Sequence, residues 1–394
     1  MSWLYFSLAV TVKVSVIIGV MFLMAPILVW IERKVMGWIQ LRPGPSHVGK
    51  WGILQPAADG VKMMLKEDIT PHESFKPIYL IAPGLVASTA LFMFAVIPFG
   101  PPSWYIHLSD LHPGLDKFHL GYVTDLNLAV LYLLATSSIS VYGVAWGGWS
   151  GGSKYSLLGG LRSAAQMISY ELTMGATLLT VVAVTGTLSL VEIVGYQAQH
   201  GWSIFYQPVT FVLFVITMFA ETNRLPFDLP EAEQELTGGY HTEHSSLEFG
   251  LFFLGEYLHM VVASSVVSIL FLGGWLPPFP GLAIWDSIET IPVVGMLMPL
   301  VFFAMKAGFF LFLFIWVRAT FPRLRYDQLM KLGWKVLLEV AFVNLFILAF
   351  MKVLWTDPNL YWYTWQLVLF LLFIALTNLI TWRGEPTESV TLKS

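Results

Sequence analysis

Nine apolar runs, each close to the length that crosses a bilayer, restrict this chain to one class of fold. They are read at Phe6 to Ile31, Ile78 to Phe99, Leu126 to Trp146, Ala164 to Leu188, Ile204 to Ala220, Phe249 to Leu272, Pro292 to Val317, Val336 to Leu354 and Tyr361 to Ile380. A spanning helix takes roughly 17 to 25 residues, and the fifth run is the shortest of the set. With 56% hydrophobic and 12% charged residues and a mean hydropathy of +0.70, the chain lacks the charge for an ordinary water-facing surface. The sequence therefore predicts an all-α integral membrane protein with about nine transmembrane helices, as one polytopic domain over 1–394. The first run is too long, and lacks the small-residue cleavage site, for a removable signal peptide.

Lysine and arginine set the orientation. The connection after the first run carries Arg33, Lys34, Arg42, Lys50, Lys62, Lys66 and Lys76, and that after the seventh carries Arg318, Arg323, Arg325, Lys331 and Lys335. The other odd connections add Lys154, Arg162 and Arg224, whereas the even ones offer only Lys117 and Lys352. The positive-inside rule places the odd side in the cytoplasm and the N-terminus outside.

Two cytoplasmic connections carry most of the chemistry. In 32–76, Ile53, Leu54, Ala57, Ala58, Val61, Met64 and Leu65 recur at helical spacing opposite Gln55, Asp59, Lys62 and Lys66. That pattern predicts an amphipathic interfacial helix, either a surface anchor or the roof of a cavity for an apolar ligand. In 221–248 stand Glu221, Asp228, Glu231, Glu233, Glu235, Glu243 and Glu248 against a single base, Arg224. Pro226 and Pro230 stop the fifth helix there. If the following segment is helical, Glu231 and Glu235 share a face, so one carboxyl is raised toward a range useful for proton exchange. The other reading is a solvated loop that docks a partner.

Ionisable residues inside the spans are Lys13, Glu171, Glu221, Glu256, His259, Lys306 and Glu339. A lone charge at the bilayer centre costs about 2.5 to 3.5 kcal/mol on insertion scales, so each pairs, protonates or faces water. Glu256 and His259 lie three apart on one helical face, positioned to share a proton. Glu171 either handles protons or bonds a neighbouring Ser or Thr. Lys13 and Lys306 either answer these acids or pair with backbone carbonyls. Glu339 sits where a helix dipole favours an acid.

The chain has no cysteine, which excludes a thiolate-bound iron–sulfur cluster on it. A haem pair lacks its histidines, since His259 alone falls within a span, and His107, His112 and His119 read as loop residues with no metal template. There is no Gly-rich dinucleotide fingerprint or phosphate loop. No metal, haem or nucleotide is therefore assigned, and no nucleic acid. Redox chemistry would come from a partner.

Several stretches carry a resemblance: Glu32-Arg33-Lys34-Val35-Met36-Gly37, GPSHVG, LQPAADGVK, GSKYSLLGGLRSAAQMISYE, AETNRLPFDLPEAEQELTGGYHTEHSS, FFLGEY and WVRATFPRLRYDQLM. From about Glu32 to Lys335, in order, they resemble the quinone-site membrane subunit of respiratory complex I. The resemblance implies a subunit of proton-pumping NADH:quinone oxidoreductase, a translocase, in the cell inner membrane. It would hold no redox centre and no directly catalytic residue, and quinone would be its substrate. It implies peripheral quinone-site and iron–sulfur subunits and antiporter-like membrane subunits as partners. By the same resemblance Glu32, Arg33, Trp38, Gln40 and Arg42 fall in the quinone-tunnel region. Asp228, Glu231, Glu233, Glu235 and Glu243 fall in the coupling loop, with Arg224 belonging to both regions. Glu171, Glu221 and Glu256 then lie on an acid-lined path toward the membrane arm.

The chain departs from that pattern at Ser46, where Asn is more frequent, at His47, where Arg is frequent, and at Glu339, where Pro is usual. Over 355–394 it carries an extension with the ninth run, to which no function is assigned. Two alternatives remain open on sequence alone. One is a related membrane subunit of a hydrogenase-type or ferredoxin-dependent complex. The other is an independent ion transporter, against which stands the absence of a repeated motif in the two halves. Co-purifying partners separate all three.

Overall fold

The computed structural model describes residues 2–106, 118–229, 237–278 and 292–354, with a few isolated positions between 362 and 371. Among these, seven helices are long and apolar enough to cross a membrane, and an eighth apolar helix is shorter. The ninth run falls almost wholly outside the described residues, so about nine gives way to seven long helices and one short. Strand structure among the described residues is confined to β1 (Tyr105–Ile106) paired antiparallel with β2 (Phe118–His119).

Helix α1 (Ser2–Ile39) runs well past the predicted end of its span at Ile31 and carries Glu32 and Arg33 with it. Its buried positions, Met21, Ala25, Leu28 and Val29, recur at helical spacing, and Glu32 is the next on that stripe. Helix α2 (Gln55–Leu65) is the amphipathic segment, and Pro56 in its first turn removes an N–H that would go unpaired anyway. None of its residues is buried, and Ile53, Leu54, Val61, Met64 and Leu65 stay exposed. An apolar face left open along a membrane subunit suits the interface.

Helices α3 (Lys76–Phe94), α4 (Ala129–Ser150), α5 (Lys154–Thr185) and the helix Ser246–Leu272, α9 below, form the tightest packing. Small residues permit it. A Cβ on Gly148 would stand 2.6 Å from the Ser156 carbonyl oxygen and 2.8 Å from Gly160 Cα, so α4 and α5 approach backbone to backbone.

The predicted fifth span is split. After α6 (Leu190–His200), which the sequence reading did not contain, come α7 (Ser203–Tyr206) and α8 (Pro208–Glu221). Gln207 takes φ −135°, ψ 49° and Pro208 has no N–H to continue the ladder, so the helix restarts there. At about 1.5 Å per residue α8 is about 21 Å long, short of the hydrocarbon core. The chain beyond it, up to Leu229, folds inward and is held by Gln166 of α5, whose Nε2 donates to the carbonyls of Ala220 and Phe227 at 2.9 Å each.

Helix α9 (Ser246–Leu272) is the central element, with Leu258, Val267, Ile269, Leu270 and Phe271 fully buried. Gly273, at φ 71°, ends it in a left-handed turn. Helix α10 (Pro292–Thr320) follows, then α11 (Tyr326–Leu332), a π turn (Gly333–Leu337) and α12 (Leu338–Leu354). The eighth span thus begins earlier than predicted. Glu339 lies exposed in the first turn of α12. Lys306 of α10 resolves the alternatives left for it, because its Nζ donates to the carbonyls of Leu272, Gly274 and Leu276 at 2.6, 2.9 and 2.6 Å. Lys13 likewise donates to the Val123 carbonyl at 3.3 Å. Backbone carbonyls thus accept hydrogen bonds from both lysines.

Candidate functional site: a shared arginine between two buried carboxylates

Five side chains from four separate parts of the chain meet where the C-terminal part of α1 passes the N-terminal half of α9. Glu32 is 4% exposed and Arg224 is 5% exposed, so both stand out of water. Arg224 Nη1 donates to Glu32 Oε1 at 3.0 Å and to Oε2 at 3.3 Å. The Nε side of the same guanidinium faces the Glu256 carboxylate in an ion pair. Arg318, in the last turn of α10, is the second cation on Glu32 Oε1. The Tyr257 hydroxyl donates to Glu32 Oε2 at 2.7 Å, and its ring centre lies 4.5 Å from the Arg224 guanidinium carbon. Two carboxylates and two guanidiniums cancel in formal charge, which is the condition under which such groups stay ionised away from water.

The local sequence explains how Arg224 gets there. Helix α8 stops at Glu221, Asn223 takes φ 50°, and Asn223 is fastened to α5 through Ser163 and Gln166. The turn therefore points the next side chain inward rather than into solvent. Asp228 follows on the same turn and accepts from Arg323 Nη2 at 2.9 Å. Burial pushes its carboxyl above the usual carboxylate range, and Arg323 only partly offsets that.

Glu32 and Tyr257 are also walls of a cavity of about 410 Å³, completed by Arg33, Arg42, Phe253 and Arg318 and by the turn from Gly37 to Pro45. Arg33 Nη1 bonds Asp59 Oδ2 at 2.5 Å, tying α1 to α2; burial raises the Asp59 carboxyl, but hydrogen bonds from Arg33 and Gln55 and the charges of Arg33 and Lys62 together hold it below its ordinary value. Below the cavity, where α1 turns its apolar residues from Leu8 to Ile31 toward α9 and α10, a cleft of about 930 Å³ opens between the three helices. Among the described residues, Lys13 and Ser265 alone bring polar side chains to its lining. The cleft ends at Ile31 and the polar cavity begins at Glu32.

Deeper in, Glu221 and Glu256 line one small cavity of about 30 Å³. Glu171 of α5 accepts from Ser137 at 3.3 Å and from Ser138, both on α4, so the interhelical bond considered from sequence is present. Of the expected quinone-region residues, Glu32, Arg33 and Arg42 line the cavity of about 410 Å³, Arg224 reaches it only through Glu32, and Trp38 and Gln40 are exposed beside it. Glu231, Glu233 and Glu235 lie outside the described residues. Glu243 is half-buried, and its backbone carbonyl accepts from Tyr79 at 2.7 Å. Sequence reasoning missed Tyr257, Phe253 and Arg318. The signal for Tyr257 was its adjacency to Glu256, and for Arg318 a lone base closing an apolar run.

A fastening between α2 and the loop before α9 was also missed. His244 stacks on Tyr79 at 4.2 Å and its Nδ1 lies 3.2 Å from Glu248 Oε2. Ser246 Oγ donates to the Met63 carbonyl at 2.8 Å, and the Ile69 N–H donates to Ser245 Oγ at 3.0 Å. Ser245→Ala is expected to speed amide exchange at Ile69 about two- to tenfold, as one bond of about 0.5–1.5 kcal/mol is lost. Hydrogen-exchange mass spectrometry over 63–69 reads this, and unchanged protection would show that the segment is held elsewhere.

A profile of the NADH dehydrogenase family matches residues 12–349. The chain is 48% identical over 347 residues to an NADH-quinone oxidoreductase subunit of Syntrophobacter fumaroxidans, covering 88% of this chain and 97% of that one. It is 48% identical over 339 residues to NADH-quinone oxidoreductase subunit 8 of Rhodothermus marinus, covering 84% and 94%. It is 43% identical over 403 residues to an NADH-quinone oxidoreductase subunit of Solibacter usitatus, covering 90% and 98%. With the helical membrane fold and a match across most of its length, the chain belongs to the NADH dehydrogenase family, beside relatives named as subunits of NADH-quinone oxidoreductase.

Proposed function

We propose that this chain is the membrane subunit of NADH-quinone oxidoreductase that admits a quinone from the bilayer and converts its reduction into a charge signal along buried acids. The observation that carries the reading is the junction on α1, an apolar cleft of about 930 Å³ reaching Ile31 and a polar cavity of about 410 Å³ starting at Glu32. A quinone has that same division, an apolar tail and a head that takes up negative charge and protons. An outside N-terminus and a cytoplasmic loop over 221–248 are the orientation that the lysine and arginine count supports, and the cell inner membrane is the location that the resemblance implies. Electrons arrive from peripheral iron–sulfur subunits, and antiporter-like subunits continue the path in the membrane.

The coupling works through competition for cations. Reduction of a quinone takes two electrons and two protons, and the head is anionic until the protons arrive. Arg33, Arg42 and Arg318 border the cavity, and Arg318 also serves Glu32. An anion in the cavity draws Arg318, so Glu32 takes a larger share of Arg224. Glu256 then loses its counter-charge and takes up a proton. Neutralising the head lets Arg318 return, and Arg224 again favours release of that proton. Glu171 and Glu221 are the next acids on this path. Asp228 and Glu243, with Glu231, Glu233 and Glu235, belong to the loop that links it to the peripheral subunits.

Arg33→Ala tests the cavity. It removes a cavity cation and the tie to Asp59 without touching the Glu32–Arg224 pair. The apparent KM for quinone is expected to rise several-fold, while NADH oxidation by an artificial acceptor stays at wild-type rate. An unchanged KM would mean that the quinone head does not use this cavity.

A further inference from the structure

The small cavity beyond Arg224 holds more polar atoms than the protein itself satisfies. Its lining brings together Glu221, Glu256, His259, Ser140, Asn223 and Tyr240 within about 30 Å³. Both Glu221 carboxylate oxygens and His259 Nε2 are buried without a hydrogen-bonding partner among the described residues. His259 is 9% exposed and its Nδ1 lies 2.8 Å from the Gly255 carbonyl oxygen one turn back on α9. A carbonyl only accepts, so Nδ1 carries the hydrogen and the neutral ring presents a lone pair at Nε2. A water needs about 10–15 Å³ of this kind of space and two to four polar partners, so the cavity suits about two waters.

We propose that these waters are bound between His259 Nε2, Glu221 and Glu256, and that His259 is a proton-carrying residue joining the two acids. The inference rests on the proposed proton path and supplies its missing link. Glu256 is fastened to Arg224, whereas the Glu221 carboxylate oxygens await a donor. In the step, protonated Glu256 gives its proton to a cavity water, and that water gives one to Nε2. The product is a carboxylate at Glu256 and an imidazolium whose Nδ1–H still donates to Gly255. Nε2 then returns a proton through the second water to the Glu221 carboxylate, restoring the neutral ring. No electron moves and one proton is passed on. The titratable groups facing His259 are Glu256 on its own helix, Glu221 at the end of α8 and Tyr240 from the loop before α9. Helices α3, α4 and α5 add only Val86, Ser140, Val144 and Met167 to the lining. Glu171 lies within electrostatic reach of Glu221, which gives the proton an onward acceptor.

The test uses the whole assembled complex. In a cryo-EM map that resolves ordered water, the wild-type complex is expected to show water within about 3.2 Å of His259 Nε2 and of a Glu221 oxygen. In sealed inverted membrane vesicles, His259→Gln keeps size and polarity but carries no proton. It is expected to lower protons translocated per NADH several-fold, while uncoupled quinone reduction and thermal unfolding stay at wild-type values. A dry cavity, or full translocation in His259→Gln, overturns the proposal; if the variant does not assemble, the wild-type map decides. Glu221→Gln in parallel separates the two levels. Loss of translocation there beside full translocation in His259→Gln removes only the histidine, whereas full translocation in Glu221→Gln removes the acid path as well.

Discussion

Arg224→Met is expected to destabilise the subunit by about 3–5 kcal/mol and to remove coupled quinone reduction, because it takes the shared cation from two buried carboxylates at once. Glu32 keeps Arg318 and the Tyr257 hydroxyl, but Glu256 loses the guanidinium that holds it. The cost comes from the weakened compensation of a carboxylate held largely out of water more than from the lost bond. The double variant Arg224→Met/Glu256→Gln therefore ought to recover part of the loss, since it removes the carboxylate's charge along with the cation. Thermal unfolding of the solubilised complex and its abundance in membranes measure both. A double variant less stable than Arg224→Met would contradict a cluster organised by charge balance.

Lys306→Met is the second large effect, and it lies away from the proposed path. Three carbonyls at the end of α9 take their hydrogen bonds from this one ammonium, which also lies 4.8 Å from the Trp202 ring centre. A cation there meets the negative end of the helix dipole. Bonds to a charged donor are worth about 1.5–3 kcal/mol each, and carbonyls left unpaired in lipid add to the loss. A destabilisation on the order of 3 kcal/mol or more is expected, with the ratio of proton translocation to quinone reduction unchanged in the complex that survives. A change in that ratio would place Lys306 on the path after all.

The spans were legible because a membrane helix advertises itself by apolar length alone, and the amphipathic face of α2 by its period. The break at Gln207 and Pro208 was not, since Ile204 to Ala220 is apolar almost throughout and only backbone geometry shows where one helix stops. Nor did the sequence reading contain α6, whose Ser189 cap accepting from the Glu192 N–H is a local signal in a short connection between two spans. Glu256 was legible by cost, since an acid within a span needs a partner, whereas Glu32 was legible only through the family resemblance. Their partnership was not. Arg318 and Glu32 are 286 positions apart and Arg224 and Glu32 are 192 apart, so charge balance among them exists only in the folded chain. Helical spacing put Glu256 and His259 on one face, but only the fold shows that Glu256 pairs with Arg224 and the His259 Nδ1 with its own helix, while both side chains line one small cavity. Spacing left Lys306 open between acids and backbone carbonyls, because a cage of carbonyls answers a buried cation as well as an acid does, and only the fold shows the cage.

Glu32 belongs to both the proposed quinone cavity and the buried acid cluster, and events in one reach the other through it. Glu32→Gln keeps the shape of the side chain and removes the charge for which Arg224 and Arg318 compete. The measurement is protons translocated per NADH oxidised in sealed vesicles carrying the assembled variant, beside quinone reduction with an uncoupler present. Reduction is expected to continue while the proton ratio falls well below wild type. A wild-type ratio at any measurable rate of reduction would contradict the role given to Glu32.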